Sequence, residues 1–136
     1  MSATGHIKVP ASLENLQAIT DFIIAAASAA GFPQERKGDI ELALEEAVTN
    51  VIKYSHPEIP GEIEVLFFSG GRQFRIEIRD SGDQFDITSL PDPELSLGVD
   101  ERPVGGLGAY LIKKAADAIT YRRSSGLNIL TLIFNA

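Results

Sequence analysis

The chain of 136 residues contains no cysteine at all, which excludes disulfides, thiol nucleophiles and cysteine-ligated zinc. It has only two histidines, His6 and His56, too few for a histidine-rich metal site and a poor basis for a Ser-His-Asp triad. Positive charge is also in short supply: 12 Lys and Arg face 19 Asp and Glu, a net charge of −7. That balance argues against a broad face for the phosphate backbone of nucleic acid. Long apolar runs are missing too. The most apolar stretch, from Phe22 to Phe32, is mostly alanine and falls well short of the ~20 residues that cross a bilayer. The opening Met-Ser-Ala-Thr-Gly-His-Ile-Lys lacks the charged start and apolar run of a signal peptide. These absences predict a cytoplasmic protein without redox chemistry, with no membrane contact and no direct nucleic-acid partner.

What is present is an ordinary globular composition, 44% apolar and 23% charged, sized for one domain spanning residues 1–136. A short strand is expected around Ile7 and Val9. Ser12 offers an N-cap, and Leu13, Leu16, Ile19, Ile23 and Ala27 recur at helical spacing. Gly31 and Pro33 separate that helix from a second, roughly Gln34 to Tyr54, whose Ile40, Ala43, Leu44, Ala47, Val48, Val51 and Tyr54 share one apolar arc.

After Pro57, Pro60 and Gly61 the period changes to two. Ile63, Val65 and Phe67 alternate, Ser69-Gly70-Gly71 marks a turn, and Phe74, Ile76 and Ile78 point away from Arg75, Glu77 and Arg79. From Phe85 to Val104 no period holds, and a loop of that length inside a compact domain is usually functional or mobile. Gly105-Gly106-Leu107-Gly108 opens a third helix to about Ala118. Strands from Ile119 to Arg123 and Asn128 to Phe134 close the chain. The order β-α-α-β-β-loop-α-β-β predicts a two-layer α/β sandwich, its mixed sheet mostly antiparallel with helices on one face.

Three short segments carry the candidate chemistry. Glu46 and Asn50 stand four apart on the second helix and Lys53 continues the stripe, at the rim of the apolar arc. A carboxylate, an amide oxygen and an ammonium in a row suit a base, a hard-cation ligand and a phosphate contact; they equally suit a solvated helix face. Asp80-Ser81-Gly82 ends a strand, where a carboxylate can accept from a ligand while glycine lets the backbone approach, or can simply make a turn. Gly105, Gly106 and Gly108 sit where loop becomes helix, an arrangement suited to phosphate or to a hinge. Neither a P-loop nor a dinucleotide fingerprint fits them. Arg102, in an otherwise acidic loop, would reach a bound phosphate on loop closure, though exposed loop arginines are common.

The three segments stand in a telling order. Glu46-Ala-Val-Thr-Asn50-Val-Ile-Lys53 resembles the N box of the GHKL ATPases, Asp80-Ser-Gly82-Asp their first glycine box, and Gly105-Gly106-Leu-Gly108 their second. The chain most resembles the single-domain anti-sigma-factor serine kinases of that superfamily. The resemblance implies a Bergerat-type ATP-binding fold with ATP and Mg²⁺ as cofactors, Asn50 on the metal and Glu46 as general base toward a target serine. It further implies Asp80 on the adenine amino group with Gly82 giving room for the base. Lys53, Gly106 and Gly108 would contact the phosphates, and Thr131 in the last strand would lie near the adenine. The segment from Phe85 to Val104 becomes the ATP lid. The implied partners are a sigma factor and a small serine-bearing antagonist, with a homodimer as the assembly. Gln84 stands where many of these ATPases carry a second glycine. Two alternatives stay open: a non-catalytic, nucleotide-gated binding switch, and a scaffold without a nucleotide site.

Overall fold

The computed structural model describes residues 3–56, 61–90 and 106–136. Five strands form one sheet: β1 (Gly5–Pro10), β2 (Glu62–Gly70), β3 (Gln73–Asp80), β4 (Ala118–Ser124) and β5 (Leu127–Asn135). Their spatial order is β1-β2-β3-β5-β4 and all four pairings are antiparallel. The sheet is therefore not mixed. The two hairpins pair their own strands, and the chain between them returns so that β5, not β4, lies against β3. The expected α+β layering otherwise holds.

Strand alternation sorts the residues between the two faces. Phe74, Ile76 and Ile78 of β3 stand in register with Phe67, Val65 and their neighbours on β2, and with Phe134, Leu132 and Leu130 on β5. This phase builds the core under the helices, and all but Phe67 among those named are buried. The opposite phase carries Arg75, Glu77 and Arg79. It is not bare of apolar surface: Leu66, Phe68 and Ile129 are buried there, and the Arg75 guanidinium lies 4.2 Å over the Phe68 ring.

Three helices cover the other face: α1 (Leu16–Ala29), α2 (Gln34–Ser55) and α3, described from Gly106 to Ala115. Helix α2 runs between the other two. Its Ile40, Ala43, Leu44, Ala47 and Val48 are fully buried and Val51 nearly so, as the apolar arc predicts. Each such aliphatic side chain contributes about 1.5–3 kcal/mol by leaving water, with Ala less. Leu13 departs from the expected stripe. It falls in a single 3₁₀ turn, Leu13–Asn15, and is 50% exposed. Ser12 caps that turn by accepting from the Glu14 N–H. No helix among the described residues is long and apolar enough to cross a membrane.

At 1.5 Å per residue the 22-residue α2 spans the length of the sandwich. Its start therefore lies at the sheet end marked by the Gln73–Asn135 pair, and its finish at the end marked by Asp80 and Asn128. At the first end Arg36 ties three elements together, reaching Asp39, Asp117 and the carbonyls of Ala115 and Asn135. The second end holds the polar residues singled out from the sequence.

Candidate nucleotide site

Asp80 is the last residue of β3 and keeps the core phase, so its carboxylate points under the end of α2 and its side chain is fully buried. One oxygen is crowded. Oδ2 accepts from the Gly82 N–H at 3.0 Å and from Asn128 Nδ2 at 3.2 Å, and His56 Nε2 lies 3.0 Å away. The other oxygen, Oδ1, is buried and has no hydrogen-bond partner among the described residues. An unsatisfied buried acceptor costs about 1–3 kcal/mol, more when charged, and a fold retains one where something else is to donate.

Gly82 sits hard against the end of α2. A Cβ there would fall 2.1 Å from the Ser55 carbonyl oxygen and 2.8 Å from His56 Cε1, so no other residue fits without moving backbone. The next residue closes the contact, its Asp83 N–H donating to that same carbonyl at 2.8 Å.

Asn128 holds this end together and was not foreseen from the sequence. It stands opposite Asp80 in the β3–β5 register and is buried. Its Oδ1 accepts from the Phe85 N–H at 3.2 Å, which fixes the amide orientation. Nδ2 then faces Asp80, the Asp83 carbonyl at 2.8 Å and Ser55 Oγ at 3.4 Å. Tyr121 completes the cluster with its hydroxyl 2.6 Å from Asn128 Oδ1. Burial pushes the Tyr121 phenol up from its ordinary value of 10, against the opposing pull of Arg123.

Thr131 is not part of this cluster. Three residues on from Asn128, it has the opposite strand parity and pairs with Glu77 and Thr120 on the face away from the helices. The strand position beneath Asp80 belongs to Asn128. The signal was available: Asn128 is the polar residue in the apolar phase of Leu130, Leu132 and Phe134.

The second group lies along α2. Asn50 is buried and donates its Nδ2 to the Glu46 backbone carbonyl at 2.6 Å, which leaves its amide oxygen as the atom free to accept. Glu46 is half-buried one turn earlier, and Lys53 is exposed on the next. Helix α3 begins against them. A Cβ on Gly108 would lie 2.8 Å from Asn50 Nδ2 and 3.1 Å from Glu46 Oε2. The glycine thus allows the first turn of α3, with its free backbone N–H groups, to meet the Glu46–Asn50 stripe. Gly106 is the first residue of that helix. Gly105 and Arg102 lie outside the described residues.

The loop expected from Phe85 is described as far as Leu90, and its beginning belongs to the body of the protein. Phe85 packs on Tyr54 with ring centroids 5.0 Å apart, and Ile87–Ser89 form a 3₁₀ turn capped by Asp86, with Ile87 buried in the core. Residues 91–105 lie outside the described residues.

Among the described residues no group of three or more His, Cys, Asp or Glu side chains could hold a metal ion. The donor set here suits a different arrangement, one amide oxygen offered to a hard cation that arrives with its own oxygen ligands, as Mg²⁺ does on phosphates. A buried lone acceptor, a glycine pressed against a helix end and a helix N-terminus meeting a Glu/Asn stripe suit, in turn, an amino donor, a flat group and a phosphate. Residues 9–134 match the family model of the histidine kinase-like ATPase domain. The chain belongs to that family. Its relatives include the serine-protein kinase RsbW of Bacillus cereus (strain AH820), 30% identical over 129 residues that cover 92% of this chain and 81% of the relative. The same figures hold for the proteins of that name from Bacillus anthracis (strain A0248) and Bacillus thuringiensis (strain Al Hakam). In this chain Glu46 and Asn50 lie along α2, Asp80 and Gly82 meet its C-terminal end, and Gly106 and Gly108 fall in the first turn of α3.

Proposed function

We propose that this histidine kinase-like ATPase domain is an ATP-dependent protein-serine kinase and anti-sigma factor. It phosphorylates a small serine-bearing antagonist and sequesters a sigma factor, working in the cytoplasm as a homodimer. The observation that carries the reading is the approach of Gly108 to Glu46 and Asn50, which puts a carboxylate beside the atoms suited to a nucleotide's phosphates. The printed name of the relatives, serine-protein kinase, supports the same reaction class.

In this reading Asp80 Oδ1 accepts a hydrogen bond from the adenine amino group, and Gly82 lets the base approach. Asn50 offers its amide oxygen to Mg²⁺, which when bound would offset charge on the phosphates. Lys53 and Arg102 supply cationic contacts, while Gly105, Gly106 and Gly108 bring backbone N–H groups close. Glu46 takes the proton of the target serine as its oxygen attacks the γ-phosphorus and ADP departs. Most of the rate enhancement in such a transfer comes from positioning and electrostatics.

Glu46→Gln tests the assignment. It is expected to leave ATP affinity within about twofold, by preserving shape, and to cut phosphate transfer to the antagonist by about 10²–10⁴-fold, the usual worth of a general base. Transfer at the wild-type rate would remove Glu46 from the chemistry. ATP binding with no transfer by the wild type to any serine-bearing antagonist would support the nucleotide-gated switch instead.

A further inference from the structure

His56 is the C-cap of α2. Its side chain is 4% exposed and sits in a slot built from glycine. A Cβ on Gly61 would lie 2.6 Å from the ring Cε1 and one on Gly82 would lie 2.8 Å from the same atom. The ring is therefore clasped by two backbone segments that no side chain could replace.

Its Nε2 faces Asp80 Oδ2 at 3.0 Å, off the line of an ideal N–H bond, and has no hydrogen-bond partner among the described residues. With a hydrogen on Nε2 the contact is electrostatic, the N–H facing the carboxylate without being aligned on it. Among the described residues His56 is also the one basic side chain within 4 Å of this carboxylate. Arg123 donates instead to the Gly82 carbonyl at 2.9 Å.

We infer that His56 is a positioning residue for base selection: the Gly82 N–H and Asn128 hold Oδ2 by hydrogen bonds, the His56 ring closes its α2 side, and Oδ1 is left as the single acceptor for a nucleobase amino group. The inference rests on the reading of Asp80 as the adenine contact. The three groups reach Oδ2 from three places, the end of α2, strand β5 and the loop after β3. Without His56 the carboxylate loses its one contact from α2 and is held by Gly82 and Asn128 alone, so it can tilt about those two bonds and Oδ1 is aimed less firmly at the base. A residue with a merely structural role would weaken all nucleotides alike. A residue that acts through Asp80 changes the preference for a base bearing the amino group.

The experiment compares binding of ATP with that of purine riboside triphosphate, which lacks the 6-amino group, by calorimetry. The proteins are the wild type, His56→Leu and His56→Gln, the last keeping an N–H near the Nε2 position. The wild type is expected to prefer ATP by about tenfold to a hundredfold, the range for one hydrogen bond to a charged acceptor. In His56→Leu that preference falls to within about threefold, and in His56→Gln most of it returns. Because the readout is a ratio, a smaller folded fraction leaves it unchanged. If His56→Leu does not fold, His56→Phe takes its place, a ring without an N–H: a preference reduced to within about threefold supports the role and an undiminished one overturns it. An undiminished preference in His56→Leu overturns the inference while leaving Asp80 as the adenine contact. A wild type that binds both nucleotides equally overturns the Asp80 reading itself.

Discussion

The two ends of the sandwich are built from similar parts and treat them differently. At one end Arg36 of α2 meets Asp39, Asp117 and two carbonyls, and Asp117 also accepts from the Asn135 N–H. At the other end Asp80 is buried under α2 with one oxygen crowded and the other unpartnered. Three buried side-chain polar atoms among the described residues have no hydrogen-bond partner; Asp80 Oδ1 and His56 Nε2 are two of them. The third, Arg75 Nε, belongs to the guanidinium stacked on Phe68. A cation with its acceptors in place fastens a fold. A carboxylate with an acceptor left over weakens it and is ready for a ligand. Burial and the count of unmet partners separate these cases together: Asp39 and Asp117 are 45% and 42% exposed, so water reaches them, whereas the Asp80 side chain is fully buried.

The contrast can be broken most visibly at the fastened end. Arg36→Ala should lower stability by about 1–2 kcal/mol, since several charge-assisted bonds are lost from a partly solvated site. ATP affinity should stay unchanged, because the site lies at the far end of α2. Thermal unfolding and calorimetry on the same preparation check both. A loss of ATP affinity with no change in stability would reverse the roles given to the two ends.

A smaller effect sharpens the picture midway along α2. Burial first, then Glu41 and Glu46, push the Glu45 carboxyl up from its ordinary value of 4.5. A raised carboxyl keeps its proton longer in the folded state, so folding is favoured below the unfolded value and loses that advantage as pH rises through the folded one. Glu45→Gln should therefore stabilise the protein at pH 7 by a few tenths of a kcal/mol, the scale of a like-charge helical pair. The gain should vanish below about pH 4, where both side chains are neutral. Unfolding at the two pH values measures it, and an equal gain at both would point to packing instead of charge.

Much of this was legible in the residues. Period two gave the strands, and the apolar arc of α2 gave the helix that carries Glu46 and Asn50. Asp80 and Gly82 fell at a strand end, where local turn chemistry can be read directly. What escaped was set by register. Asn128 meets Asp80 across 48 residues, through a β3–β5 pairing that skips β4. Thr131, which the resemblance implies lies near the adenine, has the parity of the outer face. His56 drew no site assignment because nothing local announces that two glycines, five and twenty-six positions later, close around its ring. Leu13 failed as a core residue because the helix opens with a 3₁₀ turn.

The most direct test of the account is ATP titration into the wild type and Asp80→Asn with Mg²⁺ present, alongside thermal unfolding of both without nucleotide. The substitution keeps the shape of the side chain and removes the buried charge. The account predicts ATP affinity lower by about tenfold or more, the worth of a bond to a charged acceptor, with stability of the free protein equal to or above that of the wild type. Unchanged ATP affinity together with reduced stability would make Asp80 a structural residue like those around Arg36, and would contradict the central claim.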